Sequence, residues 1–322
     1  GRRDLEEGIL RATDAQFFTE DPLRFYRVMQ FIGRFSMLPD EKLTQICKTM
    51  SIKDVSTERI EMEFEKLLLK SVQPSRGIRW LHSLGRLQEI LPELSAMEKV
   101  AQDPEWHPEG SVFEHLMQAL DAAARVDKGS DDLNLILRYT SLCHDLGKAT
   151  TTQIIDHRIK SPGHAEAGID LAERLLLRIT QKRTLIDTVK RLVRYHMSPG
   201  QLVKQNSGEA AYKRLALKLA PLTNCDMIAS VALADQQGRN GESSVPLTAI
   251  PSTVQQFIEK AVAANSLYQP EKPILTGNDV IDLIAPGPKM GKLLEYAFHL
   301  QIEEGISSKD VLRLKVIEYL NK

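Results

Sequence analysis

Long apolar runs are missing from this sequence. Those present, Leu67-Leu68-Leu69 and Leu175-Leu176-Leu177 among them, fall far short of the ~20 residues that a membrane-spanning helix needs, so no membrane partner is expected. Cysteine is scarce too. Cys47, Cys143 and Cys225 stand far apart, too few and too scattered for a disulfide framework or a thiolate zinc site, and the expected setting is reducing and cytoplasmic. Aromatics amount to 6%, which leaves the core to Leu, Ile, Val and Ala. A surplus of positive charge is also absent: 42 Lys and Arg stand against 43 Asp and Glu, for a net charge of −1. A protein that coats nucleic acid by charge alone is basic, so any RNA contact has to come from local patches.

What is present suffices for folding. With 42% hydrophobic and 26% charged residues over 322 positions, wholesale disorder is excluded, and about two domains fit at roughly 150 residues each. Helical periodicity dominates. Leu185, Val189, Leu192 and His196 fall on one stripe of a 3.6-residue helix, as do Leu133, Leu137, Thr140 and His144, and His164, Gly168, Leu171 and Leu175. Period-2 strands are lacking except over Gln153–Lys160, which reads as a loop hairpin. Pro22, Pro39, Pro74, Pro92, Pro199, Pro221 and Pro270 punctuate the helices. The expectation is an all-α fold in three regions: 1–100, then 106–240 with most of the histidines, then 250–322 beyond the polar linker Gly238–Thr253.

His115, His144, His164 and His196 lie on inward stripes of separate helices, with His107 a weaker candidate. His144-Asp145 closes a strongly apolar helix, where Gly147 is expected to serve as a C-cap. Asp235 follows Ile228 and Val231 at helical spacing. A single buried histidine is ordinarily a hydrogen-bonded core residue, and a single His-Asp doublet arises by chance. Several imidazoles and acids directed inward from separate helices point instead to a shared cation. Imidazole and carboxylate without thiolate suit Mn, Fe, Mg, Ni or Zn in a non-structural site. Lys148 reads equally as a phosphate contact or as a solvated lysine at a helix end.

The pattern resembles the HD-domain phosphohydrolase superfamily, whose ligands are a first His, a His-Asp doublet and a later Asp. By position these are His115, His144, Asp145 and Asp235; the competitor Asp226 lacks the Gly238-Arg239 that follows Asp235. Trp106-His107-Pro108-Glu109, Gly163-His164-Ala165-Glu166-Ala167-Gly168 and Asp235-x-x-Gly238-Arg239 resemble the HD domain of bacterial class II CCA-adding tRNA nucleotidyltransferases. The resemblance implies a metal-dependent activity on 2′,3′-cyclic phosphates, 2′-nucleotides or phosphomonoesters, with Ni2+, Mn2+ or a similar ion. His144, Asp145 and Lys148 would be catalytic, and His164 and His196 would hold a second metal or a phosphate. The loop Ala149–Gly163 is long enough to gate such a site.

The flanks carry the same resemblance. Glu20-Asp21-Pro22-Leu23-Arg24-x-x-Arg27 by itself is a well-capped helix start, yet it matches the family motif in which Asp and Arg read the incoming base of CTP or ATP. That assigns Glu20, Asp21, Arg24 and Arg27 to nucleotide binding. Gln30 stands where a second Arg is expected. Gly1-Arg2-Arg3-Asp4-Leu5 and Ser56-x-Glu58-Arg59-Ile60 resemble the neighbouring motifs, and Ser56 also suits an N-cap. Ile274-Leu275-Thr276-Gly277-x-Asp279 and Gly287-Pro288-x-Met290-Gly291 resemble the tRNA-gripping tail; Gly287-x-x-x-Gly291-Lys292 is one residue short of a phosphate loop. The implied architecture is a neck/body, an HD helical bundle and a helical tail.

Nucleotidyl transfer in this family uses Mg2+ held by a strand-borne acid pair. Here no Gly-Ser or Gly-Gly is followed at the family spacing by Asp-x-Asp or Asp-x-Glu, and the chain opens at Gly1 without an initiator Met. The expectation is therefore a piece of a longer protein whose N-terminal head is missing or separate, and which does not add nucleotides alone. Its partners would be tRNA, ATP and CTP, with homodimerisation left open. The alternatives are a poly(A) polymerase relative, or a non-catalytic tRNA-binding module with a degenerate HD site.

Overall fold

Helix boundaries follow the punctuation of the sequence. In the computed structural model, which describes residues 1–321, 62% of residues are helical and 3% are in strands, an all-α fold. Lys322, the last residue of the expected tail, lies outside the described residues. The helices that matter here are α1 (Ala15–Thr19), α2 (Leu23–Phe35), α3 (Thr57–Lys70), α4 (Ser75–Ser83), α5 (Val112–Ala124), α6 (Asp131–Cys143), α7 (His164–Leu177), α8 (Arg183–Tyr195), α9 (Glu209–Leu219), α10 (Cys225–Gln237), α11 (Ser252–Ala263), α12 (Pro288–Glu303) and α13 (Lys309–Leu320). Strands occur as two short pairs. β1 (Ile9–Leu10) and β2 (Leu38–Pro39) pair in parallel, too short to leave a sequence signal. β3 (Gln153–Ile155) and β4 (Arg158–Lys160) form the antiparallel hairpin expected from the sequence, turning through Asp156 and His157 at φ 52° and 59°.

The chain forms two compact units. The first holds Gly1–Pro199 and Met227–Val254. Within it α2 packs on α3 and α4, α5 on α6, and α7 on α8. Phe25, Met29, Leu67, Leu81, Leu116, Leu142, Leu175 and Val189 are among the members of its continuous apolar core, each fully buried aliphatic side chain contributing about 1.5–3 kcal/mol of transfer free energy. The stripe on α8 is buried as read from the sequence, whereas Leu133 on the α6 stripe is 40% exposed because it lies in the first turn of its helix. The second unit holds Gly200–Asp226 and the chain from Gln255 onward. There Leu275, Val280, Leu293, Ala297, Leu312 and Val316 make a small core, and Asp279 ties the tail motif together, accepting from Thr276 N at 2.8 Å and Oγ1 at 2.7 Å and pairing with Lys309 at 2.7 Å.

Candidate metal centre

Helix ends deliver the polar residues to one place in the first unit. His115 stands one turn into α5, whose N-cap Ser111 accepts from Glu114 N. His144 caps α6 and Asp145 follows it; His164 opens α7; His196 caps α8; Asp235 lies in the last turns of α10. His115, His144, Asp145 and His196 are buried. Asp145 sits at the centre with its two oxygens facing different partners. Oδ2 is 3.7 Å from His115 Nε2 and 3.5 Å from His144 Nε2. Oδ1 is 3.3 Å from His164 Nε2 and 3.7 Å from His196 Nε2. Asp235 Oδ1 closes the first side at 3.2 Å from His115 Nε2 and 3.9 Å from His144 Nε2.

The tautomers of these rings follow from their other nitrogens. Nδ1 of His144 lies 2.9 Å from Ser141 O, that of His164 is 2.8 Å from Ser161 O, and that of His196 is 2.7 Å from Val193 O. A carbonyl only accepts, so each Nδ1 carries the proton and each neutral ring turns the Nε2 lone pair inward. His115 does the same, with Nδ1 2.7 Å from Glu109 Oε1. The result is two facing pairs of lone pairs, His115 with His144 and His164 with His196, each at 3.2 Å between Nε2 atoms. Acceptors at hydrogen-bond distance repel unless a positive charge stands between them.

The electrostatics express the same demand. Burial opposes ionisation of His115, but Asp235, Glu109 and Asp145 outweigh it and push its pKa up to about 9. Its partner His144 is held down by burial. His164 is raised because Asp145 overcomes its burial, while burial and the neighbouring His144 drive His196 down to about 3. Each pair thus has room for one positive charge, a proton or a metal cation. Burial alone would raise both acids; Lys148, His144 and His164 hold Asp145 well below the usual carboxylate range, and Arg239 with His115 does so for Asp235. Buried anionic oxygens together with imidazole lone pairs form a donor set suited to a divalent transition ion. Among the described residues three ligand groups emerge, His115–His144–Asp145 and Asp145–His164–His196 around the central carboxylate and His107–Glu109–His115 behind His115.

Lys148 is buried, its Nζ 2.7 Å from Asp145 Oδ2 and donating to Gln102 Oε1 at 2.7 Å, so it is not a solvated lysine. Arg239 pairs with Asp235 at 2.8 Å. Asp226 is not in the cluster; it belongs to the second unit, where its N–H donates to Leu267 O. Gly147 departs from the sequence reading. It is right-handed, φ −64° and ψ −17°, rather than a left-handed C-cap, because its place is a close backbone approach: a Cβ there would lie 2.0 Å from His164 O. Sequence reasoning gave no role to Gln102, to the Gly238 carbonyl 3.3 Å from His115 Nδ1, or to Glu109 individually. None of these sits on a periodic stripe, and the one available signal is the acid two residues after His107.

The nucleotide-motif residues lie at the α1–α2 junction. Asp21 accepts from Leu23 N at 3.1 Å and from Arg59 at 3.1 and 3.2 Å. Arg24 donates to the Phe17 carbonyl and lies 3.9 Å over the Phe17 ring. Glu20 caps α1 and is exposed. Arg27 faces a cleft of about 360 Å3 between α2 and α3 with Gln30, Arg34, Arg59 and Lys66. Gln30 is buried and accepts from Arg34 at 3.1 Å. Ser56 does occupy the N-cap of α3, with its hydroxyl engaged by Glu58.

Residues 41–98 match the family model described as the probable RNA and SrmB- binding site of polymerase A, and residues 112–233 match the HD domain. The multifunctional CCA protein of Halorhodospira halophila is 34% identical over 261 residues, 76% of this chain and 59% of that protein. The multifunctional CCA protein of Pasteurella multocida is 29% identical over 255 residues with the same coverages. Over 76% of its length the chain is similar to multifunctional CCA proteins. It spans about three-fifths of the length of these curated relatives. A solved CCA-adding enzyme with CTP superposes over 100% of this chain and 65% of its own, with TM-score 0.57 and 15% identity. The Thermotoga maritima CCA-adding enzyme complexed with tRNA covers 99% of this chain and 66% of its own, with TM-score 0.55 and 15% identity. At that identity they show a shared fold. Among the described residues no helix is long and apolar enough to cross a membrane.

Proposed function

We propose that the cluster is a divalent-cation centre that hydrolyses phosphoesters at RNA 3′ ends, acting on 2′,3′-cyclic phosphates, 2′-nucleotides or phosphomonoesters. The observation that carries this reading is the pair of 3.2 Å contacts between inward-facing imidazole nitrogens around one buried carboxylate. His115, His144, Asp235 and Asp145 Oδ2 would hold one cation, and Asp145 Oδ1, His164 and His196 a second; in place of that second cation, His164 and His196 would hold a substrate phosphate when protonated at Nε2. Bound there, Mn2+, Ni2+ or a similar ion lowers the pKa of a bound water and neutralises phosphoryl charge. Lys148 keeps Asp145 ionised and offers the phosphate a positive contact, and Arg239 keeps Asp235 ionised.

The same reading makes the chain part of an enzyme that builds or repairs the tRNA 3′ CCA end in the cytoplasm. Residues 1–100 would be the neck and body, 106–240 the HD domain, and 250–322 a tRNA-gripping tail. Asp21 and Arg24, flanked by Glu20 and Arg27, would read the base of CTP or ATP: a carboxylate accepts and a guanidinium donates, which together mimic a base-pairing edge. For this they would exchange Arg59 and the Phe17 carbonyl for the nucleotide. Mg2+ would serve the transfer itself in the complete enzyme.

The test is hydrolysis of a 2′,3′-cyclic nucleotide with added Ni2+ or Mn2+. Asp145→Ala is expected to abolish it while the helical circular dichroism stays unchanged, and full activity in that variant would reject the site. Metal analysis adds a second arm. A stoichiometric transition metal lost on His144→Ala supports the centre, and a chain that binds none is a tRNA-binding body only.

A further inference from the structure

We infer that Glu109 is a positioning residue which holds His115 from behind and thereby sets how tightly the centre binds a divalent cation; the inference rests on the metal-centre reading above. Three of the four converging imidazoles are fixed through Nδ1 by a carbonyl three residues back in the chain, those of Ser141, Ser161 and Val193. His115 alone is held by a carboxylate. Glu109 Oε1 accepts from His115 Nδ1 at 2.7 Å, with the Gly238 carbonyl a longer alternative at 3.3 Å. The same oxygen accepts from His107 Nδ1 at 2.9 Å.

Two features separate this carboxylate from an ordinary stabilising contact. The Glu109 side chain is fully buried, and its second oxygen, Oε2, finds no hydrogen-bond partner among the described residues. A buried carboxylate with one oxygen unsatisfied costs folding free energy, so its presence calls for a return other than stability. It also acts from the far side of the ring, on Nδ1, while Nε2 faces His144 and Asp235. A carboxylate there fixes the tautomer and ring direction and strengthens Nε2 as a donor, as such partners do in histidine-bound metal sites. Its place is fixed by the loop ahead of α5, where Asp103 is tied to Arg158 of the β3–β4 hairpin at 2.7 Å and Gln102 donates to Gly110 O.

The experiment is calorimetric titration of the full chain with Mn2+ alone. Glu109→Ala should weaken Mn2+ binding about 10–100-fold. Glu109→Gln, which keeps an acceptor oxygen but drops the charge, should lie between that variant and wild type, at least about threefold weaker than the latter. His107→Ala leaves the His115 contact in place and should stay within about threefold of wild type. If Glu109→Ala does not fold, the near-isosteric Glu109→Gln decides, because a merely structural role would leave its affinity unchanged. Affinities of both Glu109 variants within about twofold of wild type would overturn the inference. A wild-type chain that binds no Mn2+ would instead sink the metal-centre reading, and this inference with it.

Discussion

Replacing Gly147 by alanine sets two physical effects of opposite sign against each other. By backbone alone the change should help: φ −64° and ψ −17° suit alanine, and removing a glycine from such a position stabilises by about 0.4–1 kcal/mol through the unfolded chain. The surroundings reverse this. An added Cβ would stand 2.0 Å from His164 O, 2.6 Å from Gly168 N and 2.9 Å from His164 C. All three are backbone atoms of α7, so no side-chain rotation relieves the overlap and the helix must retreat by roughly 1 Å or more to reach contact distance. Overpacking of this kind costs about 1–3 kcal/mol, which lowers the melting temperature by about 2–4 °C per kcal/mol for a unit of this size. The retreat also carries His164 Nε2 away from Asp145 Oδ1, now 3.3 Å distant. Urea and thermal unfolding should show Gly147→Ala less stable than wild type, and Mn2+ titration should show weaker binding. Gly168→Ala makes a graded control, since its nearest contacts are 3.3 Å from Gly147 N and Val193 Cγ1 and its cost should be smaller. A Gly147→Ala protein as stable as wild type or more so, with unaltered Mn2+ binding, would refute the close-approach argument.

Two further outcomes are expected. Asp121, buried on α5, accepts from Ser75 N at 2.9 Å and from Ser75 Oγ at 2.7 Å; burial outweighs these bonds and the Arg79 and Arg125 charges and pushes its pKa up to about 6. Its folded pKa lies above the unfolded value, so its favourable contribution is complete below about pH 4 and is lost as pH rises through about 6. Asp121→Asn should therefore gain on wild type by up to about 3 kcal/mol between pH 4 and 7; urea midpoints measured at both pH values check this, and a constant difference would refute it. For Lys148, the ammonium 2.7 Å from Asp145 Oδ2 competes with a cation for that oxygen. Lys148→Met should therefore tighten Mn2+ binding roughly five- to tenfold while slowing cyclic-phosphate hydrolysis. Weaker Mn2+ binding in that variant would count against the assigned geometry.

The helical core and the histidines were legible because both rest on local periodicity. Leu185, Val189, Leu192 and His196 share a face whatever else the chain does. The long-range partners of these side chains and of the nucleotide motif were not legible for the converse reason. His115 reaches the Gly238 carbonyl across 123 positions, Lys148 reaches Gln102 across 46, and Asp21 reaches Arg59 across 38. No local pattern encodes such pairings. Gly147 was misread because a left-handed cap and a close helix approach both select glycine, and only φ together with the neighbouring atoms tells them apart.

The amino-acid order by itself determined which segments coil into helices, which faces are apolar, and that imidazoles and acids with no thiolate would be directed inward from several of them. Tertiary structure alone decided that Asp145 turns one oxygen to each pair of imidazoles and that Glu109 backs His115. It also decided that Gly200–Asp226 groups with the chain beyond Gln255 rather than with the segments flanking it in sequence. Periodicity is a property of neighbours along the chain, whereas a convergent site depends on which distant helix ends the packing brings together.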